Sequence, residues 1–73
     1  MIKNEDIAKQ ISELMLSYGA KLDASVAVVI DKCSNEEAIV YKKAVGKIMG
    51  TMLLEIMNPL YKQHPELKPK ELI

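Results

Sequence analysis

The sequence contains no arginine, no tryptophan and no phenylalanine, and it has one cysteine and one histidine. Each shortage removes a class of function. A lone Cys33 cannot form an intrachain disulfide, and with His64 as the sole imidazole there is no tetrahedral zinc site built from four cysteines or from paired cysteines and histidines. All ten positive charges are lysine, so the bidentate arginine contact that most often reads guanine is missing, which weighs against nucleic acid as a partner. Tyr18, Tyr41 and Tyr61 are the only aromatic rings, and they are too scattered to suggest a platform for stacking bases. Glycine occurs only at 19, 46 and 50, so there is no glycine-rich phosphate loop. No apolar run is long enough for a signal peptide or a membrane span, so no membrane association is expected and the free thiol suits a cytoplasmic setting.

What is present is a chain of 73 residues with 49% apolar and 27% charged residues and zero formal net charge. That balance reads as one globular domain, residues 1–73, rather than a disordered chain. The charge is spread evenly, so there is no polybasic arm. At this length a single core is barely large enough, because small chains bury a smaller fraction of their surface. Small scaffolds compensate with disulfides, a metal or oligomerisation. With the first two excluded, oligomerisation is what remains.

The helical signals run almost end to end. Asn4 is a suitable N-cap, followed by Glu5 and Asp6 where the helix dipole favours negative charge. Ile7, Ile11, Leu14, Met15 and Tyr18 then form one stripe, with Leu16 opposite it as a single exposed leucine, and Gly19 supplies a left-handed stop. The first helix is therefore expected over about residues 4–18. Residues 22–32 are ambiguous, because Val26, Val28, Val29 and Ile30 favour a strand on propensity. A strand has no partner within the chain, so a helix over about 24–32 is expected, with an intermolecular strand as the alternative. Ser34 and Glu37 form a capping box that opens a long helix over about 35–57. Asn58 before Pro59 then predicts a cap and a short helix over 59–63, and residues 64–73 read as an extended tail. The fold class is all-α, a small helical hairpin or three-helix domain.

The long helix is the informative element. At about 100° per residue, Ala38, Tyr41, Val45, Ile48, Met49, Met52 and Ile56 share one face suited to packing on the first helix. A second apolar set, Ile39, Gly46, Gly50, Leu53, Leu54 and Met57, flanks it and requires cover from another direction. Either the segment over 24–32 crosses there or a second chain does; the expected interface is this set of six residues. Gly46 and Gly50 sit one turn apart and would allow close approach of another backbone.

Other residues have weaker claims. Met15, Met49, Met52 and Met57 suit an adaptable groove, although core filling is the ordinary use of methionine. Cys33 precedes a helix start that could activate its thiol, yet no second cysteine or histidine is near it in sequence. Asp23, Asp31, Glu36 and Glu37 make no spaced pair suited to acid–base work, and His64 lacks a second metal ligand. No catalytic, metal or cofactor site is expected. The function expected is a non-enzymatic helical interaction module, a homodimer or a subunit of a small complex. The alternative is a small dimeric nucleic-acid-associated regulator that sets Lys42, Lys43 and Lys47 against phosphates.

Overall fold

The structure is a computed structural model and describes residues 1–70. The described residues form helices and turns, with no strand. Helix α1 spans Glu5–Lys32 and α2 spans Asn35–Met52. A π-helical turn, Leu53–Met57, leads into α3, Asn58–Gln63, and one 3-10 turn follows at Pro65–Leu67. The two long helices fold back as a hairpin about Cys33 and Ser34.

The caps expected at Asn4 and Ser34 form. The Asn4 side chain accepts the Ile7 amide at 3.1 Å. Ser34 accepts the Glu37 amide at 3.2 Å, while its own amide donates to the Glu37 carboxylate at 3.1 Å. These contacts with the Ser34 backbone and hydroxyl hold the exposed Glu37 carboxyl below its ordinary pKa, because they favour the charged form.

The expected break at Gly19 is absent. The two separate helices over 4–18 and 24–32 are one helix of 28 residues, and no described glycine has positive φ. One interior glycine costs about 1 kcal/mol relative to alanine, and the valines that follow cost less each, so packing against α2 outweighs local propensity. An intermolecular strand at residues 22–32 is likewise replaced by helix.

The packing side of α1 also differs from the expected stripe. Ile7, Leu14 and Tyr18 remain about half exposed, whereas Ala8 and Ser12 are buried. Small side chains on α1 let the helices approach, and the bulk of the core comes from the other side: Met57, Leu60 and Tyr61 close over Ala8.

That core requires a change of register in α2. A regular helix continuing from Val45 and Met52, at about 100° per residue, would place Met57 about 120–140° off the packing side. The helix expected over 35–57 instead ends at Met52, and the wider π turn absorbs one extra residue; the Asn58 amide donates to the Leu53 carbonyl five residues back. Met57, Leu60 and Tyr61 thereby return to the side facing α1. Pro59 gives the turn a local reason, since its ring would strike the carbonyl four residues earlier in a regular helix. Asn58 is accordingly not a cap: its backbone is helical and its side chain caps nothing.

The segment read as an extended tail begins by docking back. His64 is buried, and its Nε2 donates to the Ile2 carbonyl at 2.6 Å. Pro65–Leu67 turns as 3-10 helix, and Leu67 packs at the margin of the core. Residues 71–73 of that segment lie outside the described residues.

Candidate functional site

The side chains of α1 and α2 leave a groove of about 430 Å³ between them. Met15, Met49, Met52 and Met57 all line it, so Met15 of α1 meets three methionines from the end of α2 and the π turn. Its shape comes from small residues. Gly19 and Ala20 on α1 and Gly50 on α2 form part of the lining, and a Cβ built at Gly19 would meet the Met49 methyl at 3.8 Å. Leu16 and Leu53 supply aliphatic walls, and Asp23 is the only charged residue in the lining. Methionine has three rotatable bonds and a polarisable sulfur, so such a lining can reshape around an apolar guest. It has no nucleophile and no paired carboxylates, so it offers binding rather than bond chemistry.

The expected interface residues divide. Ile39 and Leu54 are exposed. Nothing lies within 4 Å of a Cβ built at Gly46 or Gly50, so the C-terminal half of α1 does not fill that notch. Leu53 is half-buried beside the core, and Met57, 7% exposed within it, also lines the groove. A second hollow lies farther along the same hairpin face, beside Ile30, Ile39 and Lys42.

The remaining candidates are not brought together. Cys33 is exposed at the hairpin turn, whereas His64 sits at the opposite end of a molecule 44 Å long. The His64 Nδ1 is 3.6 Å from a Glu66 carboxylate oxygen, an ion pair when the ring is protonated. The Tyr41 hydroxyl shares a 2.7 Å hydrogen bond with Ser25, which commits it to the α1–α2 contact. Lys42, Lys43 and Lys47 are all exposed; Lys43 and Lys47 lie one turn apart on the outer side of α2, whereas Lys42, about 100° from Lys43, borders the hollow beside Ile30 and Ile39. Asp31 pairs with its neighbour Lys32 at 3.5 Å on the surface.

The α1 half of the groove is what sequence reasoning missed. Leu16 reads as a single exposed leucine and Gly19 as a stop, yet both line the groove. The available signal is the helical spacing of Leu16, Ala20 and Asp23, a face of small and apolar residues beside the main stripe. No family model, curated protein or solved structure matches this chain.

Proposed function

We propose that the chain is a non-enzymatic helical interaction module that functions by self-association, as a homodimer or as a subunit of a small complex. The observation behind this reading is the size of its surface. The chain exposes 5595 Å² at 8.2 kDa, whereas the scaling of folded monomers gives about 4,500 Å² at that mass. The excess of about 1,100 Å² exceeds the roughly 800 Å² that each partner buries in a standard interface. Much of it is apolar: Leu14, Tyr18, Val28, Ile30, Ile39 and Ile48 are all more than a third exposed. A hairpin with, among the described residues, one fully buried large side chain, Leu60, gains little from its own core, so association supplies the missing burial.

Sedimentation equilibrium over micromolar to millimolar protein is the direct test. The expected result is a reversible oligomer whose thermal midpoint rises with concentration, because binding to the folded state stabilises it by mass action. A monomer throughout, with a midpoint independent of concentration, would refute the reading. The nucleic-acid alternative is left with Lys43 and Lys47 as its one pair of neighbouring lysines on α2, since Lys42 borders the hollow beside Ile30 and Ile39.

A further inference from the structure

We infer that the methionine-lined face of the hairpin, and not the face opposite, is where a second copy of this chain docks. This rests on the self-association reading above and assigns it a surface.

The hairpin has two broad sides. Antiparallel helices place equal wheel angles on the same side, so Leu16, Ala20 and Ile30 of α1 share a face with Ile39, Gly46 and Gly50 of α2. Tyr18 and Val28 share the other with Ile48. Both expose apolar residues, so hydrophobicity alone does not choose between them.

Shape does choose. Both faces carry hollows, but those beside Val40 and Ile48 on the second, about 450 and 300 Å³, are lined by α2 alone, whereas on the first the 430 Å³ groove and a second hollow toward the hairpin turn both lie between the two helices. It also carries Gly46 and Gly50, each of which costs about 0.5–1 kcal/mol inside a helix and neither of which is packed by its own chain. A helix crossing at the notch accounts for both, because glycine there lets two backbones approach closely.

Charge agrees. Asp23 is the one ionic residue lining the groove, and Lys42 is the one lining the second hollow. The two stand on different helices at similar distances from the hairpin turn, so a copy related by a two-fold along the hairpin axis lays α1 on the other copy's α2 and brings acid toward base, whereas an antiparallel copy lays each helix on its own counterpart and does not. The excess surface is enough for one such interface and not for two of standard size. A face that pairs with itself also closes the assembly as a dimer, without leaving a surface that continues to polymerise.

Two substitutions on α2 separate the faces. Gly46→Glu places a carboxylate in the notch, and its Cβ meets nothing within the protomer. Glutamate is also a better helix former than glycine, so folding is preserved. Ile48→Glu places the same charge on the opposite face, where Ile48 is 51% exposed. Sedimentation is expected to show the dissociation constant raised at least about tenfold by Gly46→Glu and less by Ile48→Glu. An effect below tenfold for Gly46→Glu, or an equal or larger one for Ile48→Glu, overturns the assigned face and leaves self-association standing. A wild-type chain that stays monomeric at millimolar concentration removes both. A second measurement needs no substitution. On dilution, the ε-methyl resonances of Met15, Met49, Met52 and Met57 should shift while that of Met1, which does not line the groove, stays fixed. Invariant groove methyls across a dissociation seen by sedimentation would also overturn the assignment.

Discussion

The hydroxyls of Ser12 and Tyr61 meet at 2.6 Å, 49 positions apart in the chain and both nearly fully buried. The bond ties the start of α1 to α3, beyond the π turn, and satisfies two polar groups that would otherwise be stranded in the small core. Leaving one of them unpaired costs about 1–3 kcal/mol, whereas removing both leaves nothing unsatisfied. Ser12→Ala and Tyr61→Phe should each lower the unfolding free energy by that order in urea titrations. The double variant should cost less than the sum of the two singles. Additive losses would mean that the pair is not coupled.

Gly19 offers a test of how α1 is built. It lies inside a continuous helix with negative φ, and an added Cβ would reach the Met49 methyl at an ordinary contact distance of 3.8 Å. Gly19→Ala should therefore stabilise the protein by about 0.5–1 kcal/mol through helix propensity. A left-handed stop at this position would give a loss instead, and the sign read from chemical denaturation distinguishes the two.

The capping box gives a pH dependence of known sign. The Glu37 pKa is lowered from its ordinary value of 4.5 by the Ser34 amide and hydroxyl. A depressed folded pKa means that the cap stabilises α2 above the unfolded pKa, and that this contribution disappears as pH falls through the lower folded value. A carbon-detected NMR titration should place the Glu37 midpoint below 4.5, and Ser34→Ala should move it back up. The Ser34 amide remains in that variant, so a midpoint unmoved by Ser34→Ala would show that the amide alone, without the hydroxyl, holds the carboxylate.

His64 makes a comparable closure at the other end of the molecule. Its Nε2 holds the Ile2 carbonyl, and the residue is 8% exposed. His64→Ala should release residues 1–4 from α3 and cost about 1–3 kcal/mol, the range for orphaning a buried acceptor. Hydrogen exchange should quicken at Ile7 and Ala8, whose amides bond to Asn4, before α2 is affected. Unchanged protection there would show that the docking does not depend on the imidazole.

How much of the fold is legible in the sequence depends on whether a signal is local. The Ser34 capping box, the Asn4 cap and the α2 packing side at Ala38, Tyr41, Val45, Met49 and Met52 follow from neighbours a turn apart and form as expected, whereas Ile48, expected on that side, is 51% exposed. Gly19 misleads because a helix stop and an interior glycine look alike until the other wall is known. Ala8 and Ser12 escape notice because hydrophobic periodicity gives little weight to small residues, although small residues are what let α3 approach. The groove is half legible. Its methionines stand out in the sequence, but the register that unites Met49 and Met52 with Met57 depends on a π turn that strict 3.6-residue spacing does not anticipate. A clue is present in Leu60, Tyr61 and His64, which continue the buried series of α2 only if one residue is skipped.

That skipped residue can be removed by design. If the π turn is a one-residue insertion that accommodates Pro59, removing one residue from Leu53–Met57 should leave Met57, Leu60 and Tyr61 facing α1 in a regular helix. Leu54, 66% exposed, is the residue to delete. Deletion alone would leave Pro59 in the interior of a regular α-helix, at a cost of about 3 kcal/mol or more. Deleting Leu54 together with Pro59→Ala should restore most of that stability, with the Ser12–Tyr61 bond retained and the amide of residue 58 bonded four residues back. Deleting Lys43, in the regular part of α2, should instead rotate everything after it by about 100° and abolish cooperative unfolding. If the Leu54 deletion with Pro59→Ala were as damaging as the loss of Lys43, the π turn could not be a register correction, and the core of Ala8, Met57, Leu60 and Tyr61 would need another origin.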